Sequence, residues 1–371
     1  MSDWRKELKN TITTVQELKQ YMPLSEKEEK ELEKIIDRHP MSIPTYYLNL
    51  IDWNDPNDPI KKLSIPSGME LDMSGDYDTS GEAQNTKFAG VQHKYAPTVL
   101  VLSTNACLMY CRHCFRKRMV GYSQDEIMSR LDETINYLKT HKEVNNVLIS
   151  GGDSFVLPTS TIKEYLTRLA EIEHLDFIRF GTRIPVVYPQ RIIEDKELLE
   201  TLKEYTEKNK PIYVVTQFNH PKELTEEAKE AIILLKKAGV SVNNQTVFLM
   251  GINDDPETLA KLQRDLTNAG VNPYYVFQCR PVKYVKNHFQ VPIYEAYQTI
   301  ELAKQKLNGI SKRFRYIMSH KRGKIEIVGV SGNKMIFKFH QAKNKEDYGR
   351  IFELEVDKKA RWLDDELHFI E

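Results

Sequence analysis

Three of the four cysteines in this 371-residue chain lie within eight residues of one another. Cys107, Cys111 and Cys114 give the spacing C-x3-C-x2-C. Thiolates bind zinc and iron, and this clustering indicates a metal site and not a disulfide scaffold. Three thiolates can hold three irons of a 4Fe-4S cluster and leave the fourth iron open to an external ligand, which implies chemistry. The alternative is a structural zinc site that His113 or Cys279 would complete.

A second set of polar residues stands at the ends of later β-branched segments. Ser150, Gly151, Gly152 and Asp153 follow one such segment. Adjacent glycines let a backbone approach a ligand closely and a carboxylate suits an ammonium group, although Gly-Gly-Asp is also a common turn. Arg183 follows the next segment and is suited to bidentate recognition of a carboxylate.

Basic residues crowd around the cysteines at Arg112, Arg116, Lys117 and Arg118. Lys plus Arg and Asp plus Glu each number 53, so one short basic cluster in a neutral chain gives little support for a nucleic-acid partner. No run of 18 apolar residues occurs, and the first ten residues lack the apolar stretch of a signal peptide. We therefore expect a cytoplasmic protein with no membrane partner.

The elements that position these residues alternate between β-branched strands and amphipathic helices. This alternation predicts an α/β fold with a parallel sheet, in which six units form a partial (β/α)6 barrel. Ligands of such sheets bind at the carboxyl ends of the strands. The predicted strands are 97–103, 146–150, 177–181, 212–216, 240–249 and 274–278. The predicted helices between them are 123–141, 160–173, 195–209, 225–239 and 255–270.

Three regions are predicted along the chain. Residues 1–95 form a helical and irregular N-terminal region, in which Ser25 and Glu28 are placed to form a capping box. Residues 96–310 form the partial barrel. Residues 311–371 form a small C-terminal appendage, because KIEIVGV, SGN and KMIFKFH give the alternation and turn of a β-hairpin.

The loop CLMYCRHCFRKR after the first predicted strand resembles the radical S-adenosylmethionine (SAM) superfamily, and specifically the lysine 2,3-aminomutase family. The likeness extends from about residue 45 to 290. The segments that resemble that family, in the same order, are YYLNLIDWNDPNDPIKKLSIPS, LISGGD, GTRIPVVYPQRI, QFNHPKELTEEA, NNQTVFLMGIND and YYVFQC.

The resemblance implies that SAM chelates the open iron and that reduction of the cluster yields a 5′-deoxyadenosyl radical. It implies that the segment from Ser150 to Asp153 holds the methionine amino group. Asn219, His220 and Gln245 match family positions that line the adenosyl and ribose groups, although polar residues could also merely cap the barrel. Gln217 departs from the family, which tends to have histidine there.

The resemblance also implies pyridoxal 5′-phosphate (PLP). Arg116 stands where the family binds the PLP phosphate, and Lys324 stands where a lysine forms the internal aldimine. The family's glycine run before that lysine is reduced here to Gly323, so an exposed strand position for Lys324 and a role for Lys321 are the alternatives. The family's C-terminal zinc-binding cysteines are absent, since no cysteine follows Cys279.

The residues expected to select the substrate depart most clearly from those of the family. Lysine mutases place an aspartate after the sixth strand to pair with the distal ammonium of lysine, and this chain has Arg280, with Lys283 nearby. A cation there would repel lysine and attract a carboxylate, although Arg280 could instead point outward or contact the PLP phosphate. The sequence therefore predicts an amino acid substrate other than lysine, for which a glutamate-like acid is the first candidate.

The interpretation is a radical SAM enzyme that moves an amino group between adjacent carbons, with a 4Fe-4S cluster, SAM and PLP. One alternative is a PLP-independent radical SAM enzyme, such as an epimerase, a dehydrogenase or a peptide-modifying enzyme. Another is a non-enzymatic Fe-S or zinc protein. An electron donor such as flavodoxin or ferredoxin is the expected partner, and a homo-oligomer is compatible with the sequence.

Overall fold

The computed structural model describes residues 10–120, 131–208 and 210–371. Within these residues, twelve strands form one sheet in which each strand pairs with the next along the chain, and β13 and β14 form a small separate sheet. The strands are β1 (Thr86–Phe88), β2 (Val91–Tyr95), β3 (Thr98–Thr104), β4 (Asn146–Gly151), β5 (Phe177–Gly181), β6 (Ile212–Thr216), β7 (Ser241–Phe248), β8 (Asn272–Gln278), β9 (Arg315–Ser319), β10 (Gly323–Ser331), β11 (Lys334–Ala342), β12 (Ile351–Glu355), β13 (Trp362–Leu363) and β14 (Phe369–Ile370).

The six predicted strands are β3 to β8, and each neighbouring pair among them is parallel. Side chains from β3, β4, β5, β7, β8 and β10 line one cavity, so the sheet curves around it. The predicted α/β fold with a partial barrel is confirmed.

Helices separate the parallel strands, and three of those between the strands begin at a side-chain cap. The helices are α1 (Val15–Leu18), α2 (Glu26–Arg38), α3 (Thr45–Leu48), α4 (Pro59–Ser64), α5 (Glu82–Asn85), α6 (Leu131–Thr140), α7 (Thr159–Ala170), α8 (Ile184–Val187), α9 (Gln190–Ile193), α10 (Lys196–Glu207), α11 (Glu226–Lys237), α12 (Pro256–Asn268), α13 (Lys286–Phe289) and α14 (Ile293–Gln305). Asp195, Thr225 and Asp255 accept backbone N–H bonds at the starts of α10, α11 and α12. Residues 121–130, which include the start of the helix predicted at 123–141, lie outside the described residues, and the rest of that prediction corresponds to α6.

The alternation of side chains within a barrel strand separates the core from the cavity. In β5, Ile178 and Phe180 are fully buried in the main hydrophobic core, which lies between the strands and the surrounding helices. Arg179, between them, points to the opposite face and lines the cavity. In β5 the apolar side chains therefore pack outward and Arg179 points inward, whereas other strands also present apolar residues to the cavity, such as Leu148 of β4 and Phe277 of β8.

The N-terminal region contains both predicted and unpredicted elements. Helix α2 begins at Ser25, and Ser25 and Glu28 form the predicted capping box. Strands β1 and β2, which the sequence did not indicate, add an antiparallel edge next to β3. Lys94 of β2 donates to the carbonyl oxygen of His320 at 2.6 Å and so joins this edge to the other end of the barrel.

The C-terminal region continues the same sheet. Strand β9 pairs in parallel with β8 and is a seventh parallel strand that the sequence did not reveal. The predicted hairpin is β10 and β11, which pair antiparallel after β9. Because one sheet runs through both proposed boundaries, the division into 1–95, 96–310 and 311–371 stays a prediction.

Candidate active site

A cavity of about 380 Å³ opens at the carboxyl ends of the parallel strands, where the sequence placed the site. It collects twelve of the fourteen residues predicted to bind a metal, cofactor or substrate. These are Cys107, Cys111, Cys114, Arg116, Ser150, Gly151, Gly152, Asp153, Arg183, Gln245, Arg280 and Lys324. Asn219 and His220 do not line it.

The three cysteines of the loop after β3 all line this cavity. Burial raises the pKa of the Cys107 thiol well above its ordinary value and that of Cys114 to about 11. Arg183 Nη1 lies 2.6 Å from Cys111 Sγ, and the backbone N–H of Arg116 donates to Cys114 Sγ at 3.3 Å. Three partly buried thiols that face one space, two with nearby donors, fit a group that deprotonates them on binding, as a 4Fe-4S cluster does.

Neither candidate for a fourth zinc ligand is aimed at these thiols. His113 Nε2 lies 2.7 Å from the amide nitrogen of Gln217, and burial lowers the pKa of His113 well below its ordinary value, so its ring is neutral. Cys279 packs in an apolar cluster with Leu63 and Phe289. Across 10–120, 131–208 and 210–371, no three His, Cys, Asp or Glu side chains converge on one ion-sized site. A 4Fe-4S cluster does not require that convergence, because each thiolate binds its own iron.

The two glycines at the end of β4 lie too close to neighbouring backbone atoms to carry a side chain. A Cβ atom on Gly151 would lie 2.2 Å from the carbonyl oxygen of Thr104, and Gly151 also has a φ of +121°. A Cβ atom on Gly152 would lie 2.2 Å from the carbonyl oxygen of Ala106. Because neither glycine has a side chain, the end of β4 can pack directly against the backbone at the start of the cysteine loop.

Gly151→Ala and Gly152→Ala are each expected to lower the free energy of unfolding by about 2–4 kcal/mol and to reduce cluster loading, because the new methyl group must displace the cysteine loop. Thermal unfolding and iron content measure both effects. Gly309→Ala is the matched control, since no atom lies within 4 Å of its Cβ position. Equal melting temperatures for all three variants would contradict the backbone contact.

Asp153 and Arg183 both form hydrogen bonds with other groups of the protein. Asp153 accepts the backbone N–H groups of Phe155 at 3.0 Å and Arg183 at 2.6 Å, and burial raises its pKa. The Arg183 guanidinium donates to the carbonyl oxygen of Gln217, to Cys111 Sγ and to Glu223. That Arg183 faces a carboxylate of SAM or substrate stays a prediction; in the structure Arg183 pairs with a carboxylate of the protein, Glu223.

That Asn219 and His220 line the nucleoside site stays a prediction, and both side chains form hydrogen bonds within the protein. Asn219 Oδ1 accepts the backbone N–H of Val247 at 2.9 Å, and the Asn219 side chain is fully buried. His220 is the cap of the short 3-10 helix Pro221–Glu223 and accepts the N–H of Lys222. Both side chains therefore support the cavity wall from behind. Gln245 of β7 lines the cavity as predicted.

The structure separates the two lysines proposed for PLP. Lys321 lies on the surface and pairs with Asp365 at 3.3 Å. Lys324 lines the cavity, with its ammonium 4.9 Å from the Tyr275 ring centroid. Burial, followed by the charges of Arg179 and Arg280, lowers the pKa of Lys324 to about 7.

Lys94 is a second cavity lysine, and no pattern in the sequence singled it out. Burial, followed by the charges of Arg280, Lys324 and Lys343, lowers its pKa to about 7. Its amine donates to the carbonyl oxygens of Ser80 at 3.2 Å and His320 at 2.6 Å. Within the described ranges, no hydrogen-bond acceptor or carboxylate contacts the Lys324 amine, so Lys324 is the amine available to a ligand.

The charges of the cavity wall are predominantly positive. Arg116 Nε lies 3.1 Å from Glu82, and Arg118 shares the same carboxylate. Arg280 donates to Ser319 Oγ at 3.0 Å and lies 4.1 Å from the Phe115 ring centroid. It therefore points inward and not outward.

Arg179 and Glu82 are cavity residues that sequence reasoning missed. Arg179 donates to the side-chain oxygen of Asn146, and its Nε is buried with no partner among the described residues. A charged residue between the apolar residues of a doubly covered parallel strand is unusual and could have marked Arg179. Glu82 carried no comparable signal, because its pairing with Arg116 spans 34 residues.

Comparison with known proteins agrees with this geometry. Residues 101–263 match the Radical SAM superfamily. A protein of Aquifex aeolicus that carries the provisional name L-lysine 2,3-aminomutase is 41% identical over 94% of this chain and 93% of its own. The L-lysine 2,3-aminomutase of Clostridium subterminale is 41% identical over 81% of this chain and 71% of its own. The glutamate 2,3-aminomutase of Clostridioides difficile is 38% identical over 83% of this chain and 73% of its own.

The superfamily match includes the cysteine loop and the carboxyl ends of β3 to β7, which line the cavity. No helix in the described part of the chain is long and apolar enough to cross a membrane. Membership of the superfamily implies a 4Fe-4S cluster and SAM, and the three cavity thiols are the residues that would hold the cluster. The chain belongs to the lysine 2,3-aminomutase family of radical SAM enzymes.

Proposed function

We propose that this enzyme moves the amino group of an amino acid that carries a carboxylate where lysine carries its distal ammonium, with PLP held on Lys324. One observation carries the proposal: the cavity that contains the three cysteines also contains the unpartnered Lys324 amine and the Arg280 guanidinium. A radical generated at the cysteine loop would therefore arise beside an amine-bearing site and a carboxylate-binding cation.

The residues around Lys324 fit PLP. When bound, this cofactor supplies an aldehyde that captures amino groups and a conjugated ring that stabilises unpaired electrons. Lys324 would hold the aldehyde, since burial keeps about half of its amine neutral near pH 7. Arg116, whose Nη1 lies 3.4 Å from the Ser150 hydroxyl, would hold the phosphate at the cysteine end of the cavity.

The two arginines of the wall support an anionic substrate. Arg179 and Arg280 line the cavity, and neither forms an ion pair with a carboxylate of the described residues. Glu82 and Asp153 are the carboxylates of the described cavity lining, and each is already bonded. Unpaired cations in a water-poor cavity are costly, and anionic ligands relieve that cost. A lysine side chain would add a further cation.

The names of the relatives are compatible with more than one substrate, because both lysine and glutamate mutases occur among them. The PLP-independent alternative has one observation in its favour. Gly323 is explained by strand pairing, since a Cβ atom there would lie 2.2 Å from the carbonyl oxygen of Gln341. The Gly323-Lys324 pair is thus not by itself a cofactor signature. The free amine of Lys324 favours PLP.

Arg280→Asp is expected to reduce turnover of a glutamate-like substrate roughly 10²-fold, because a guanidinium paired in a dry pocket discriminates by a few kcal/mol. The assay is anaerobic, with reconstituted cluster, SAM, PLP and a panel of amino acids. Lys283→Asp is the matched control: it makes the same charge change three residues away, outside the cavity lining, where Lys283 contacts Tyr77. Efficient turnover of lysine by the unmodified enzyme would show that the proposed substrate is wrong.

The pH dependence of PLP attachment should report the buried amine. Only a neutral amine forms an aldimine, so lowering the pH from 8 to 6, through the pKa of about 7, should slow attachment about tenfold. Visible absorbance after PLP addition follows the reaction, and Lys94→Gln separates the two cavity amines. A midpoint near the ordinary lysine pKa would contradict attachment inside the cavity.

The cluster must receive one electron from outside the chain for SAM to be cleaved. We therefore also propose a low-potential donor of the flavodoxin or ferredoxin class. Oxidation of each reduced donor by the SAM-bound enzyme, followed by absorbance, tests this pairing.

A further inference from the structure

A buried polar network lies directly behind Cys111. Arg183 Nη1 approaches Cys111 Sγ at 2.6 Å, and Arg183 Nη2 donates to Glu223 Oε1 at 2.5 Å. The hydroxyl of Tyr47 donates to the same carboxylate oxygen at 2.6 Å. Tyr47 and Glu223 have no solvent exposure, and Arg183 has 9%. The order of contacts is therefore Cys111, Arg183, Glu223 and Tyr47.

The network has fixed geometry because almost every polar atom in it is bonded. Arg183 Nε donates to the carbonyl oxygen of Gln217 at 3.0 Å. Glu223 Oε2 accepts the backbone N–H groups of Asn219 at 2.5 Å and His220 at 3.0 Å. Arg183 thus directs Nη1 at the sulfur, while Glu223 holds Nη2.

We propose that Arg183 is a positioning residue that sets the reduction potential of the cluster through Cys111, and that Glu223 moderates its effect. The step concerned is the addition of one electron, from an external donor, to the 4Fe-4S cluster in its 2+ state, which becomes 1+; no bond to Cys111 breaks. A nearby positive charge and an N–H donor to a ligand sulfur favour the more negative, reduced cluster. A nearby carboxylate opposes it. The inference depends on the family's cluster and not on the identity of the substrate.

Removing the positive charge and removing the negative charge should therefore shift the reduction potential of the cluster in opposite directions. Arg183→Gln should make it more negative, and Glu223→Gln should make it less negative. At a fixed donor potential we expect about a tenfold change in the ratio of reduced to oxidised cluster for Arg183→Gln, which corresponds to about 59 mV for one electron. Tyr47→Phe is the matched control, because it disturbs the same buried network and keeps both charges.

The experiment is a redox titration of the reconstituted full-length protein, with the reduced cluster followed by electron paramagnetic resonance, together with SAM binding by equilibrium dialysis. Opposite shifts for the two charge variants, with Tyr47→Phe near the unmodified protein, are expected. If Arg183→Gln does not bind a cluster, the direction of the change in reduction potential in Glu223→Gln tests the proposal: a less negative potential supports it, and a more negative one contradicts it. Unchanged potentials, or weakened SAM binding at unchanged potential, would overturn the proposal and return Arg183 to a direct role with SAM.

Discussion

Replacing Cys107, Cys111 or Cys114 by alanine should abolish reductive cleavage of SAM, whereas Cys279→Ala should retain it. Three thiolates are the minimum that binds a 4Fe-4S cluster and leaves one iron open, so loss of any one removes an anchor that no neighbour replaces. Cys279 is buried in a separate apolar cluster, and burial raises its pKa to about 12. Its thiol is therefore unsuited to replace a lost ligand.

Iron content, visible absorbance and 5′-deoxyadenosine formation under anaerobic conditions measure this result. The unmodified protein and Cys279→Ala should contain about four irons per chain, and the three loop variants should produce no 5′-deoxyadenosine above background. Cys279→Ala tests whether removal of any cavity thiol is damaging, because Cys279 also lines the cavity. Stoichiometric zinc without iron would sink the assignment, and so would an equal loss of activity in Cys279→Ala.

Local sequence patterns were sufficient for the parallel strands and the cysteine loop. The β-branched runs of β3 to β8 and the caps at Asp195, Thr225 and Asp255 depend on neighbouring residues, so they can be recognised without the fold. Strand β9 was missed because RYIMS is a short run between a helix and a hairpin, and its parallel partner β8 lies about 40 residues earlier.

The partners of the charged residues could not be predicted, since they depend on contacts between distant segments. The carboxylate-binding chemistry of Arg183 was evident from its residue type, but its acceptor Glu223 lies 40 residues further along the chain. Lys94 entered the cavity only because β2 pairs with β3 and reaches the carbonyl of His320, 226 residues away. Rules based on the spacing of residues in the sequence cannot identify such distant pairs.

The choice between Lys321 and Lys324 illustrates the same limit at short range. The two lysines are three residues apart, and the sequence left both open. The tight turn closed by mutual backbone bonds between His320 and Gly323 decides between them. It leaves Lys321 on the surface and begins β10 at Gly323, so that Lys324 faces the cavity. The register of strand β10, and not the residue type, thus determines which lysine amine faces the cavity.

Lys324→Ala and Lys324→Arg are expected to lower amino migration by roughly 10³-fold and to remove the visible absorbance of bound PLP. Only an amine of suitable pKa can hold the cofactor aldehyde and then exchange it for the substrate amine, and arginine, though positively charged, cannot. Cluster content and SAM binding should persist, because Lys324 contacts the Tyr275 and Tyr95 rings and none of the cysteines.

Borohydride reduction followed by peptide mapping identifies the lysine that carries PLP, and two matched variants make the result specific. Lys321→Ala removes a surface amine three residues away, and Lys94→Gln removes the other cavity amine of pKa about 7. Both should retain the label on Lys324, since neither contributes an amine free of protein acceptors. A label on Lys94 would move the cofactor to the β2 edge of the barrel. Absence of any label, with SAM cleavage intact, would favour the PLP-independent chemistry, because the radical would then act on a substrate held without an aldimine.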